Sequence, residues 1–298
     1  MTYHSVIDQP LPFYDWSFLE AAEFRRQLAY LKEHFFIVHL SRALELLKKN
    51  ELVGPTVAIT FDDGFRNNFD VAFPILQEFR APSTIYLATD PIGSEKTVWF
   101  TRLLMALQTT QSAELLWNGE VFPLRNATLK AESSARLQSA LKRFAAAKLE
   151  EELARIESIL CVPSDPHVPE KSPFRMLDQG MIRTMRDTGL VEFGAHTSGH
   201  AILSRLSRAE KTSQIRDSLR RVEELSGEKC LTFAYPNGAK NDFDLESQQV
   251  LTEAGIRGAL TMVPGINRPT TDPMEIHRYP IGADTSFSRF RLMVHNVA

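Results

Sequence analysis

The sequence predicts an α/β fold organised around parallel strands, and three observations lead there. Short apolar runs rich in β-branched and aromatic residues alternate with longer stretches whose apolar residues recur every three or four positions. Two of the short runs stop at chemically capable clusters, Thr60-Phe61-Asp62-Asp63-Gly64 and His196-Thr197-Ser198-Gly199-His200. With 298 residues, 43% hydrophobic and 24% charged, the chain can fill the core of one barrel-sized domain. Repeated strand-helix units favour a parallel barrel or a doubly wound sheet.

Each element follows from local pattern. Thr2 to Val6 can form an opening strand that brings His4 to the mouth of a barrel. Phe18 to His34 reads as a helix, then Phe35 to Leu40 as a short strand and Ser41 to Asn50 as a helix capped by Ser41. Thr56 to Phe61 reads as a buried parallel strand, so Asp62 and Asp63 stand at its carboxyl end. Phe65 to Phe79 is the next helix and Ser83 to Ala88 the next strand. From about 99 to 173 the rhythm breaks. Leu137, Leu141 and Phe144, then Leu149, Leu153, Ile156 and Leu160, fit two amphipathic helices, so this stretch reads as a helical insertion that packs on the main body. Pro163, Pro166, Pro169 and Pro173 mark an extended return. A helix over Asp178 to Thr188 leads to the strand Val191 to Ala195, which delivers His196 to its carboxyl end. The helix Arg208 to Leu225, the strand Leu231 to Tyr235, the helix Asp244 to Ala254 and the strands Ile256 to Thr261 and Ile276 to Ile281 complete a single domain over 1–298. Phe290 to His295 has helical spacing.

In parallel α/β folds the carboxyl edge of the strands is where active sites form. Two imidazoles and one carboxylate suit a borderline divalent cation such as zinc, and a position left to water makes such a site catalytic. Adjacent strand residues point to opposite sides, so the second carboxylate is free to be a base. Asp-Asp-Gly alone is also an ordinary turn, and a lone His-x-x-x-His pair is often only solvated. Both motifs ending strands of one repeating pattern favours the metal site.

A net charge of −3 gives no broad basic field, which argues against nucleic acid as a partner and is compatible with neutral or weakly charged glycans. Cys161 and Cys230 fall short of a disulfide framework and read as incidental thiols. Residues 1–8 lack a basic start and a long apolar stretch, so no membrane span is expected and the cytoplasm is the default location. Export after removal of a targeting segment is the alternative.

Taken together, Thr60 to Gly64 and His196 to His200 resemble the first and second motifs of the polysaccharide deacetylases, carbohydrate esterase family four with its NodB-homology domain. The resemblance runs from about Thr56 to about Ile281. It implies a deformed, TIM-like (β/α) barrel that holds one divalent metal ion, zinc first with cobalt, nickel or manganese as alternatives. The implied reaction removes acetyl groups from an N-acetylated glycan or sugar precursor. Carried onto these residues, it makes Asp62 the general base and Asp63, His196 and His200 the metal ligands. Phe233-Ala234-Tyr235-Pro236-Asn237-Gly238 resembles the third motif, a groove wall with a backbone amide for the oxyanion, which implicates Tyr235, Pro236 and Asn237.

Ala234 departs from that motif, standing where many members carry an arginine that braces the catalytic aspartate. Arg278 is expected to take over that bracing from a late strand end. The fourth motif has no match, and neither does the fifth, the usual source of the general acid; His277 is the expected substitute and His295 the alternative. Tyr3-His4, the third motif and Arg278-Tyr279-Pro280 are similar to members found with exopolysaccharide biosynthesis. Two other functions fit the same residues: hydrolysis of a small amide or imide in a closed pocket, and glycan binding by an inactive, metal-containing relative, which Ala234 suggests. The sequence gives no oligomeric state.

Overall fold

The structure is a computed structural model and describes residues 1–297. β1 (Thr2–Tyr3) and β2 (Ser5–Ile7) open the chain on either side of His4, and β3 (Phe18–Glu20) pairs in parallel with β2. That pairing draws Phe18 and Leu19 into the core, so α1 (Ala21–His34) starts three residues later than the expected Phe18. β4 (Phe36–Ile37) and β5 (Thr56–Val57) form a second small parallel pair around α2 (Leu40–Lys49). The cap position of α2 is His39, not Ser41, whose amide and hydroxyl donate instead to the Glu192 carboxylate. β6 (Ile59–Phe61) follows at once.

Beyond β6, a π-helical turn at Asn68–Ala72 runs into α3 (Phe73–Phe79), so only the second half of the expected helix is α-helical. β7 (Ser83–Leu87) is buried along its whole length. The stretch expected to be purely helical contains α4 (Trp99–Thr109), the antiparallel hairpin β8 (Glu114–Trp117) and β9 (Glu120–Pro123), then α5 (Ala127–Leu141) and α6 (Ala146–Ile159). The hairpin turns on Asn118 and Gly119, with φ of 53° and 78°, a two-residue Asn-Gly turn of the kind that matches strand twist. That dipeptide was the available signal for it. α7 (Gln179–Asp187) is capped by Asp178, and β10 (Val191–Ala195) follows. α8 (Arg208–Ser226) begins with a Ser207–Glu210 capping box and ends at Gly227 in the left-handed region, φ 76°. β11 (Thr232–Ala234), α9 (Leu245–Glu253), β12 (Gly258–Leu260) and α10 (Phe287–Val294) complete the chain.

Six strands form one parallel sheet in the order β1-β6-β7-β10-β11-β12. The segment 276–281 joins its two edges. On one side Thr261 N–H donates to Ile276 C=O at 2.8 Å and Ile276 N–H to Ala259 C=O at 2.9 Å, and on the other Thr2 N–H donates to Tyr279 C=O and Ile281 N–H to Thr2 C=O. Only single bridges form there, so the ring closes through an irregular strand, and the fold is a deformed (β/α) barrel. Between the strands and α1, Tyr3 packs against Phe24 and Phe61, with ring centroids 5.1 and 5.6 Å apart. Leu103, Leu115, Leu137 and Leu153 from residues 99–173 belong to the same apolar core as Phe61 and Leu87. Among the described residues no helix is long and apolar enough to cross a membrane.

Candidate active site and metal centre

Parallel pairing aligns every strand of the sheet in one direction, and Asp62, Asp63, His196 and Asn237 lie within the loops just past three of the carboxyl ends. Asp62 still belongs to the ladder through its amide, which donates to Tyr3 C=O at 3.0 Å. Asp63 then leaves it in the left-handed region, φ 75°, followed by Gly64 at φ 86°. Aspartate tolerates that conformation because its short side chain bonds locally, whereas at Gly64 a Cβ would come within 2.7 Å of the Leu87 side chain. The break sends the two neighbouring carboxylates to different partners.

Asp63 meets the histidines. Its Oδ1 lies 3.5 Å from His196 Nε2 and 3.2 Å from His200 Nε2, and all three side chains are buried. His196 comes directly off β10, its ring fixed by Nδ1 donating to Ala234 C=O at 2.7 Å, which leaves Nε2 as the free lone pair. His200, with φ 55°, comes from the turn four residues on. Burial pushes the His196 imidazole down to about 4, which keeps it in the neutral form that binds metals. Burial alone would raise the Asp63 carboxyl, but the imidazoles of His200, His4 and His196 bring it down to about 2.

The donor set itself tests the fit of a cation. Both Asp63 oxygens are buried and accept no hydrogen bond, a costly state for a carboxylate unless a positive charge neutralises it. Two imidazole nitrogens and one carboxylate converging on one point match a divalent, zinc-type site with a position open to water or substrate.

Asp62 meets Arg278 instead. Nη1 donates to Oδ1 at 2.7 Å and Nη2 to Oδ2 at 2.8 Å, a bidentate pair that is almost wholly buried. The guanidinium is itself held by Thr261 C=O, Thr2 Oγ1 and Thr60 Oγ1 at 2.9 to 3.1 Å. Burial raises the Asp62 carboxyl, and the charges of Arg278 and His196 with the Arg278 hydrogen bonds outweigh it, so its folded value lies below the usual carboxylate range. The arginine that the third motif lacks in sequence is thus present in space.

His277 and His295 are elsewhere. Successive residues of an extended segment face opposite ways, so the turn of Arg278 into the site sends His277 to a separate, mostly apolar cavity of about 450 Å³, which His295 also lines. His295 bonds with the Tyr30 hydroxyl on the surface. The imidazole that does line the site cavity is His4, together with Asp62, His196 and His200. The register that pairs Tyr3 with Phe61 sets His4 beside Asp62, its Nδ1 buried without a partner and its ring edge-on to Trp16 at 4.8 Å. The usable signal was Tyr3-His4 at the end of the opening strand, read by the same carboxyl-edge rule as the other motifs.

The third motif divides. Tyr235 is core: its amide donates to Leu260 C=O at 3.0 Å, its hydroxyl to Met274 C=O at 3.0 Å, and its ring stacks on Phe243. Pro236 is buried and has no N–H to offer. Asn237 lines the cavity with φ 59°, on a turn so tight that a Cβ on Gly238 would meet Met262 N at 2.8 Å. The cavity, about 390 Å³, has the exposed residues Arg143, Arg205 and Ala239 on its rim and is therefore open to solvent rather than sealed.

The sequence model of the polysaccharide deacetylase family matches residues 49–259. A poly-beta-1,6-N-acetyl-D-glucosamine N-deacetylase of Staphylococcus epidermidis is 34% identical over 73 residues, 24% of this chain and 25% of that protein, so the likeness spans about a quarter of that relative. The Streptococcus pyogenes deacetylase PplD, solved in complex with acetate, superposes with a TM-score of 0.65 at 16% identity, over 99% of this chain and 96% of that one. IcaB from Ammonifex degensii superposes with a TM-score of 0.63 at 17% identity, over 100% and 96%. At these identities the two structures share the fold.

Proposed function

This chain belongs to the polysaccharide deacetylase family, and from that premise we propose that it hydrolyses the acetamido group of an N-acetylated sugar in a glycan or its precursor, releasing acetate. The observation that carries the reading is the buried juxtaposition of two differently partnered carboxylates, Asp63 on His196 and His200 and Asp62 on Arg278. Asp63, His196 and His200 would hold one divalent ion, which we assign as zinc from its preference for two imidazoles and a carboxylate. Such an ion supplies Lewis-acid polarisation of a water and of the acetamide carbonyl.

The remaining steps belong to the chain. Arg278 keeps Asp62 ionised and fixes its plane, so that a carboxylate lone pair takes the proton of the attacking water. Asn237 lines the cavity, and its backbone N–H would stabilise the negative charge that develops on the former carbonyl oxygen. His4 then gives a proton to the leaving sugar nitrogen as the C–N bond breaks, the role that the sequence assigned to His277. The solvent-open rim suits a chain glycan better than a sealed small-molecule pocket, and the intact Asp62 brace argues against the inactive reading.

The test is acetate release from short N-acetylglucosamine oligomers. Asp62→Asn is expected to lose about 100-fold or more in kcat, the low end for removal of a general base. His4→Ala should also lose rate, while His277→Ala stays near the parent. Parent-like rates for Asp62→Asn, or no acetate from any N-acetylated glycan, reject the reading.

A further inference from the structure

The lining of the catalytic cavity includes three cations without ion-pair partners among the described residues. Lys142, the C-terminal cap of α5, and its neighbour Arg143 line the cavity together with Arg205, which ends the short 3-10 turn Leu203–Arg205. Elsewhere on the protein arginines sit against carboxylates, as Arg66, Arg102, Arg208 and Arg278 do, but none of these three cations has a carboxylate within ion-pair distance among the described residues. The nearby acids do not neutralise them. Asp15 is spent on Ser17, whose amide and hydroxyl donate to Oδ1, and on Gln138, which donates to Oδ2 at 3.1 Å. Asp242 accepts from the Ala239 amide at 3.0 Å and is the one carboxylate of the outer wall, so three cations face one anion there. Deeper in, Asp62 is already matched by Arg278.

A glycan entering this cavity passes that rim, where Lys142, half-buried without an ion-pair partner, retains a desolvation cost that an anionic ligand relieves, and the exposed Arg143 and Arg205 add charge beside it. We infer that the preferred substrate is an N-acetylated glycan that carries anionic oxygens, carboxylate or phosphate, next to the sugar being deacetylated, recognised by Lys142, Arg143 and Arg205. Guanidinium groups match either anion through two parallel hydrogen bonds, while Lys142 acts as a point charge. The inference rests on the deacetylase reading of the same cavity and narrows its substrate class.

The experiment compares the metal-loaded enzyme on three substrates: neutral N-acetylglucosamine oligomers, oligomers alternating N-acetylglucosamine with glucuronic acid, and UDP-N-acetylglucosamine as the phosphate source. Acetate release and calorimetric binding are measured for each. An anionic substrate is expected to exceed the neutral one in kcat/KM by about tenfold at low salt, the size of one charge-assisted contact, with the advantage shrinking as salt screens it. Lys142→Gln combined with Arg205→Gln should collapse that ratio, and Lys142→Arg should restore most of it. If these cations only complement the C-terminal dipole of α5, the variants move the melting temperature and leave the ratio intact, which overturns the inference. Equal or better use of neutral oligomers also overturns it while the deacetylase reading stands. Charge-dependent binding of the acidic oligomers without any acetate release supports the cationic wall and rejects the reaction instead.

Discussion

At the scale of single residues, one turn decides the chemistry. Asp63 has φ 75° and Asp62 does not, so two carboxylates adjacent in the chain diverge, one to His196 and His200 and one to Arg278. The three residues that would hold a cation come from two loops, and removing either imidazole would leave too few donors for a tight site. His196→Ala or His200→Ala is expected to drop metal content from about one ion per chain to near zero, read by elemental analysis after dialysis. Arg278 bears on stability as well as on rate. With its guanidinium gone, Asp62 is a buried carboxylate with no cation, and breaking a buried pair from one side costs about 3–5 kcal/mol. Denaturant unfolding of Arg278→Ala should show a loss of that order, and Arg278→Lys a smaller one because the charge stays but the bidentate fork is lost. A stability unchanged by Arg278→Ala would mean that Asp62 finds another partner.

Elements are held in place by caps that double as ties. Asp244 accepts from the Ser247 amide at 2.8 Å to start α9, and its other oxygen takes the Lys211 ammonium from α8 at 2.6 Å. Burial raises the Asp244 carboxyl, and the hydrogen bonds of Lys211 and Ser247 more than offset it, so the folded-state value is depressed. A depressed carboxylate contributes stability that is complete above its unfolded value of about 4 and is lost as pH falls through the folded value. Asp244→Ala should therefore cost about 1 kcal/mol at pH 7 and at pH 5 alike, the usual worth of an N-cap. Below about pH 4 the parent loses this contribution and the gap narrows, a trend that urea unfolding at pH 7, 5 and 3 would reveal or exclude.

For the whole molecule, cooperativity follows from a continuous core. Residues of α4, β8, α5 and α6 share one apolar cluster with the strand residues that face the helices, such as Phe61 and Leu87, and Arg102 of α4 reaches Glu157 of α6 in a buried bidentate pair with Nη2 to Oε2 at 2.9 Å. Calorimetry is expected to give one unfolding transition, with no earlier one from residues 99–173. An ion held by Asp63, His196 and His200 would bind the folded chain and not the unfolded one, so a chelator is expected to lower that single transition temperature and zinc to restore it. Two resolved transitions would show that residues 99–173 unfold on their own.

The same scales separate what was legible in the sequence from what was not. Strand-helix alternation, the carboxyl-end placement of Asp62, Asp63 and His196, and helix starts at Asp178 and Asp244 follow from near neighbours in the chain, because burial period and backbone hydrogen bonding are local. The hairpin at Asn118-Gly119 is equally local, signalled by its dipeptide. Other features required the fold. Whether His277 or Arg278 faces Asp62 depends on which side of an irregular closing strand points inward, and a shift of one residue exchanges them. His4 reaches the site only through the β1–β6 register, and Tyr235 is withdrawn from it because β12 and Phe243 take its amide and its ring. Composition and period fix which residues sit at strand ends, but closing the barrel sets their mutual register, and that register selects the side chains that meet.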